Sequence, residues 1–171
     1  MQSCAAVTGL ILLVITDLGT IISYATPFWI LQGDDDRGLW AICKGTECEW
    51  IYNSAQKTFH DEGWFIAVQG LMSVGLALCL LSLMIATISL CCQRQSCSPS
   101  GTIAGLLLTT FLAMCVAVIL FGIKASQDHG VKVSFDDEKV HKFGWSYWLA
   151  AASAALSLAT SGVYGCASRI D

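Results

Sequence analysis

The sequence predicts an all-α membrane fold: a bundle of four transmembrane helices carrying a small extracellular antiparallel β-sheet. Three observations lead there. The 171 residues are 55% hydrophobic and 13% charged, with a mean hydropathy of +0.63, too apolar for a soluble domain of this size. The apolar excess is gathered into four blocks, each long enough to cross a hydrocarbon core of about 30 Å. Almost every charge falls in two intervening loops, Gln32 to Gly63 and Lys124 to Lys142.

The first block, residues 4–25, contains a single charge, Asp17. Ser23-Tyr24-Ala25 resembles a signal-cleavage site, but the block lacks a basic leader and is longer than a signal-peptide core, so it is read as a retained helix. A carboxylate within a span costs roughly 3 kcal/mol on insertion scales, so Asp17 should face the bundle and find a partner, or be protonated. If the first two helices run antiparallel, Gln69 lies at a comparable depth from the same end. Hydrogen bonding of Asp17 to Gln69 or Ser73 is therefore expected, in preference to a proton or ion pathway, for which a lone acid makes a poor relay.

Pro27 closes the first helix, and residues 26–63 form the first loop. Within it, Cys43 and Cys48 flank the turn-like Lys44-Gly45-Thr46-Glu47. The neighbouring Leu, Trp, Ile and Tyr residues suit a pleated, half-buried surface. A β-hairpin stapled by a Cys43–Cys48 disulfide follows, stabilised by about 2 kcal/mol through closure of a short ring. Residues 64–92 form the second, uncharged span, and residues 93–100 a short loop. Residues 101–123 form the third span and residues 124–144 the second long loop, in which Val131-Lys132-Val133-Ser134-Phe135 alternates like a strand that could join the first-loop sheet. Residues 145–168 form the fourth span and 169–171 a short tail, so the whole chain, 1–171, reads as one domain.

Small residues recur at four-residue spacing on the last two spans. Gly101, Gly105, Thr109, Ala113 and Ala117 line the third; Ser153, Ser157, Ser161 and Gly165 form one stripe of the fourth, and Ala151, Ala155 and Ala159 another. Such ladders let helices approach closely. Packing within the bundle is expected of them before assembly between copies.

Two rules conflict over orientation. Seven of the nine Lys and Arg residues lie in the two long loops, which by count alone would be cytoplasmic. A hairpin disulfide, however, needs an oxidising compartment. The basic loop residues are also matched by at least as many acids, so the disulfide decides: loops outside, both termini cytoplasmic. Cys4, Cys91, Cys92, Cys97 and Cys166 then sit at the cytoplasmic boundary as candidates for S-palmitoylation.

Trp29, Gly38-Leu39-Trp40, Cys43 and Cys48, set in a large first loop between four spans, resemble the signature of the claudin superfamily. That superfamily includes peripheral myelin protein, the epithelial membrane proteins, the lens fibre intrinsic protein, claudins and auxiliary subunits of calcium channels and AMPA receptors. Phe143-Gly144-Trp145-Ser146-Tyr147 and the short gap between the cysteines look most like the lens and myelin branch. The resemblance implies a left-handed bundle topped by a five-stranded sheet, four strands from the first loop and one from the second. Trp40 would tuck into the outer end of the bundle with Cys43–Cys48 pinning the sheet above it. The chain departs from claudins at Lys57 to Glu62, which lacks the arginine found before their second helix, and in ending Ser168-Arg169-Ile170-Asp171 rather than in a PDZ-docking Tyr-Val. Asn53 is followed by Ser54-Ala55, so it forms no glycosylation sequon, unlike the myelin branch.

Function follows the same line. His60, His129 and His141 show neither metal-ligand spacing nor a nucleophile partner, so neither an enzyme nor a cofactor is expected. No basic patch points to nucleic acid. The resemblance implies a plasma-membrane protein of cell–cell junctions that forms or organises a paracellular barrier. Its expected partners are membrane lipids and other four-helix proteins, itself included, side by side or across cells. The alternative is an auxiliary subunit of a channel or receptor. Asp34-Asp35-Asp36 is the candidate for charge selectivity, since clustered acids concentrate cations.

Overall fold

The structure, a computed structural model, describes residues 4–32, 35–52, 62–91, 99–129, 131 and 142–169. Four helices dominate it: α1 (Cys4–Ala25), α2 (Gly63–Cys91), α3 (Ser100–His129) and α4 (Trp145–Ala167). All four are long and apolar enough to cross a membrane. Each packs on its neighbours in the cyclic order α1, α2, α3, α4 and back to α1. Helix α3 continues six residues past the expected end at Ile123, so its last turns stand among the loops.

The sheet lies at one end of this bundle. Its strands are β1 (Ile30–Gln32), β2 (Asp35–Arg37), β3 (Ala41–Lys44), β4 (Glu47–Trp50) and β5 (Lys142–Phe143), ordered β4-β3-β2-β1-β5 and antiparallel throughout. Four strands thus come from the first loop and one from the second. Among the described residues the second-loop strand is Lys142–Phe143; Val131 lies outside any strand, and the rest of the alternating segment, 132–135, falls outside the described residues. The β3–β4 turn has Gly45 at φ +60° followed by Thr46 with negative φ, the pattern of a type II′ hairpin turn.

Two apolar clusters fill the interior. The one beneath the sheet gathers Trp29, Leu39, Ile42, Phe65, Met72, Met114 and Phe121, among others. The other, toward the termini, gathers Leu13, Cys79, Ile103, Leu107 and Tyr164. Buried hydroxyls fall between them along the helices: Thr16 and Thr20 on α1, Thr110 on α3, Ser157 on α4. Each bonds a carbonyl of its own helix at 2.7–3.0 Å, which uses its single proton.

Asp17 lies in this layer, only 2% exposed. The expected bonds to Gln69 or Ser73 do not form. Neither carboxyl oxygen has a hydrogen-bond partner of ordinary geometry among the described residues, and the group instead faces the Cys79 thiol of α2. The reason is a helix offset. Tyr24, one residue from the end of α1, bonds Ser73 at 2.7 Å, and Ser73 follows Gly63 by ten positions. Helix α2 therefore begins on the order of 10 Å farther out than α1 ends, and Gln69 is carried up to the sheet.

The small-residue ladders behave differently on the two helices. Ser153, Ser157 and Ser161 are buried, and Ser161 Oγ donates to Ala104 O of α3 at 2.7 Å, as packing within the bundle requires. On α3, Gly101, Gly105 and Thr109 are exposed, and only Ala117 is buried. A four-residue step overshoots one turn by about 40°, so the ladder turns through roughly 160° from Gly101 to Ala117 and passes from the outer face to the core. The stripe of Ala155 and Ala159 also faces outward.

Candidate functional site: the sheet and its anchorage

The signature residues meet where the sheet joins the bundle. Trp29 is fully buried, and its Nε1 donates to Ser23 O at 2.7 Å. The same carbonyl accepts Ser146 Oγ at 2.9 Å, so the end of α1 holds both β1 and the start of α4. The indole meets Phe121 edge-on at 4.8 Å and Tyr147 at 5.8 Å. Its carbonyl accepts from Gly144 N and its backbone N–H donates to Arg37 O, both at 2.9 Å. One tryptophan thereby fixes β1, β2, α3 and α4 to one another.

Gly38 follows β2 where the chain crosses the end of α1. A Cβ there would stand 2.4 Å from Pro27 Cα and 2.7 Å from Thr26 O, so no larger residue fits without moving backbone. Leu39 is fully buried, and its carbonyl accepts Gln69 Nε2 at 2.6 Å. Tyr52 Oη donates to Gln69 Oε1 at 3.4 Å, so the amide of α2 grips both sides of the β3–β4 hairpin. Sequence reasoning placed Gln69 in the bundle with Asp17; a signal for its true role would have been its position within two turns of the start of α2.

Trp40 is half-buried and meets Tyr24 edge-on at 5.4 Å. Its Nε1 is buried without a hydrogen-bond partner among the described residues, while its carbonyl accepts Ile51 N at 2.9 Å. Above it, Cys43 and Cys48 are opposite one another in the β3–β4 register and are joined as a disulfide.

The acidic candidates do not share a face. Asp35 and Asp36 are successive residues of β2, so their side chains point to opposite sides of the sheet. Asp35 lies opposite Lys44, and Asp36 opposite Cys43. Partial burial raises the Asp36 carboxyl above its ordinary value, helped by the charge of Asp35. Asp34 lies outside the described residues, as do Cys92 and Cys97. Cys91 and Cys166 are exposed free thiols at the end of the bundle remote from the sheet. Among the described residues no group of three His, Cys, Asp or Glu side chains could hold a metal ion.

A sheet keyed by Trp29, Gly-Leu-Trp and a hairpin disulfide to a four-helix bundle is one arrangement seen from two directions, because residues 3–164 match the PMP-22/EMP/MP20/Claudin family profile. The chain belongs to this PMP-22/EMP/MP20/Claudin family. It is also similar to epithelial membrane protein 3 of Bos taurus, 29% identical over 170 residues, covering 91% of this chain and 95% of that protein. As a member of the PMP-22/EMP/MP20/Claudin family it is a multi-pass membrane protein with four spans, in a family of non-enzymatic plasma-membrane proteins.

What the family fold offers chemically is a surface. Strand β4 is exposed along its whole length, with Trp50 63% exposed and Tyr52, just beyond it, 56%. Edge strands ordinarily present unpaired backbone groups and are blunted by charge. Glu47 and Glu49 provide that charge here, while the two aromatics supply rigid contact area.

Proposed function

We propose that this protein acts at contacts between cells, with its sheet outside and both termini in the cytoplasm, and organises a paracellular barrier through that sheet and through side-by-side assembly. The observation that carries the reading is the exposed β4 edge, bearing Trp50 and Tyr52 on a platform locked to the membrane bundle by Trp29 and Gln69. Exposed aromatics are over-represented at interfaces because they give large contact area at small entropic cost. A platform that cannot tilt holds that area in a fixed geometry toward a neighbour.

The disulfide supports the orientation, since it needs an oxidising compartment. The exposed thiols Cys91 and Cys166 then face the cytoplasm, where S-palmitoylation would anchor them. The outward stripe of Ala155 and Ala159 on α4, with Gly105 on α3, supports lateral assembly with a second copy or another four-helix protein. The same stripe would serve docking on a channel or receptor, the second reading. Asp35 and Asp36 set charge on both faces of the sheet instead of forming one selectivity rim.

Expression in cells without endogenous junction proteins tests the reading. Enrichment of the protein where two expressing cells meet, compared with free edges, is expected. Uniform signal at contacts and free edges would overturn adhesion, and co-purification of a channel subunit would then favour the auxiliary role.

A further inference from the structure

Asp17 is the buried group for which the anchorage of the sheet has no use. It stands thirteen residues from the start of α1 and eight from its end, about 20 Å and 12 Å along the axis, well inside the span. Burying a carboxyl without hydrogen bonds is costly whether or not it is ionised. The hydroxyls of its layer do not relieve that cost. Thr16 and Thr20 of α1 spend their protons on their own helix. So does Ser82, one turn beyond Cys79 on α2, whose Oγ donates to Leu78 O at 2.8 Å. What faces the carboxyl is the Cys79 thiol, fully buried and a weak donor. The layer therefore holds a surplus of acceptors, which water, with two protons to donate, satisfies.

The neighbours of α1 hold it unequally across this layer. Helix α4 is fitted to it at three heights. A Cβ at Gly9 would stand 3.0 Å from the Tyr164 ring, and one at Gly19 2.5 Å from Ser153 Oγ, so both glycines let the two helices close up. At the outer end Thr26 Oγ1 meets Ser146 Oγ at 2.8 Å, beside the bond from Ser146 to Ser23 O. Against α2 the fit is slighter: of the four neighbouring pairs, α1 and α2 touch least. Their outer ends are bonded, Tyr24 Oη with Ser73 Oγ at 2.7 Å. Toward the termini they meet in an apolar cluster, to which α1 gives Leu10 and Leu13 and α2 gives Leu83 and Ala86. Local opening draws on the least packed boundary of a structure.

We propose that α1 and α2 part at the end remote from the sheet, pivoting about Tyr24 and Ser73, and admit cytoplasmic water to Asp17 and Cys79. Helix α1 stays with α4 in both states, and the sheet stays seated. Hydration of the carboxyl favours the open state and the apolar contacts of Leu10 and Leu13 the closed one, so the population of each follows from their difference. That the water is cytoplasmic rests on the orientation proposed above.

The test uses the full-length protein in right-side-out and inside-out plasma-membrane vesicles, after hydroxylamine has removed any thioester-linked acyl groups. A charged, membrane-impermeant methanethiosulfonate is added outside, and modified cysteines are mapped by mass spectrometry. Modification of Cys79 in inside-out vesicles, together with the exposed Cys91 and Cys166, is expected. Asp17→Leu removes the demand for water and should slow modification of Cys79 about tenfold while leaving Cys91 and Cys166 unchanged. Tyr24→Phe removes the pivot and should expose Cys79 from the sheet side as well. Modification of all three cysteines in right-side-out vesicles alone would reject the orientation and keep the cleft. Three results would overturn the cleft itself: Cys79 reached only from the face opposite Cys91 and Cys166, Cys79 reached from neither face, or equal rates in the wild type and Asp17→Leu.

Discussion

Gln69 of α2 donates its amide to the carbonyl of Leu39 at 2.6 Å, at a point where both residues are buried. This single bond ties the middle of the signature segment to a transmembrane helix. Replacing it by Gln69→Leu leaves the Leu39 carbonyl buried without that partner, at a cost of about 1–3 kcal/mol. Thermal unfolding in detergent should show the loss, whereas Gln69→Glu, which removes the donor but keeps the shape, should cost at least as much. An unchanged midpoint for both would mean that the bond does not hold the sheet.

Trp29 combines ring packing with a hydrogen bond, and the two contributions separate by substitution. Trp29→Phe keeps most of the packing but strands Ser23 O with one donor fewer, for about 1 kcal/mol. Trp29→Ala also empties the space against Phe121 and should cost about 3–5 kcal/mol. Urea or thermal titration of the purified variants checks the order. Equal effects would place the whole contribution in the hydrogen bond.

Two glycines of the first loop should respond in opposite degree to the same change. At Gly38 an added methyl meets Pro27 backbone at 2.4 Å, so Gly38→Ala must displace the sheet from α1. At Gly45 nothing lies within 4 Å, and only the backbone resists, since the first position of a type II′ turn strains any side-chain-bearing residue by about 1–3 kcal/mol. Surface expression should fall sharply for Gly38→Ala and less for Gly45→Ala.

Asp17 is buried between helices with no hydrogen bond from the hydroxyls around it, which are spent on their own carbonyls. Removing an unsatisfied polar group in favour of an apolar one of similar size is stabilising, so Asp17→Leu should raise stability by about 1–3 kcal/mol. Thermal unfolding of the two proteins in the same detergent measures this. Destabilisation by Asp17→Leu would instead show that the carboxyl has a partner essential to the fold.

Asp36 gives a dependence on pH with a definite sign. Its folded-state value is raised, so its contribution is most favourable below the ordinary carboxylate value of 3.8 and is lost as pH rises through the folded value. Asp36→Asn should therefore stabilise the protein at neutral pH and lose that advantage in acid. A benefit that persists unchanged at low pH would contradict the burial of this group.

Much of this was legible in the residues. Four apolar blocks set the helices, and the Cys43–Cys48 pair around Lys44 to Glu47 set the hairpin, because length and local turn chemistry act within a few residues. The helix offset was not legible: nothing local says that α2 starts well beyond the end of α1, and so Gln69 was matched with Asp17 instead of Leu39. The α3 ladder failed for a related reason. Its four-residue spacing looks like one stripe on paper, yet it winds from lipid to core, so Gly101, Gly105 and Thr109 stand exposed while Ala117 is buried. The position of β5 depends on which residues of the second loop reach the edge of β1, a long-range choice; the alternating segment at 132–135 lies outside the described residues.

The proposal that the sheet edge is the contact surface is tested most directly at boundaries between expressing cells. Trp50→Ala removes the exposed indole of the outer edge without touching Trp29, Gly38, Leu39 or the bond between Tyr52 and Gln69. The variant should reach the cell surface with its disulfide formed, yet show at contacts no more than the signal of two apposed membranes. Full enrichment of that variant at contacts would show that adhesion, if present, does not run through β4.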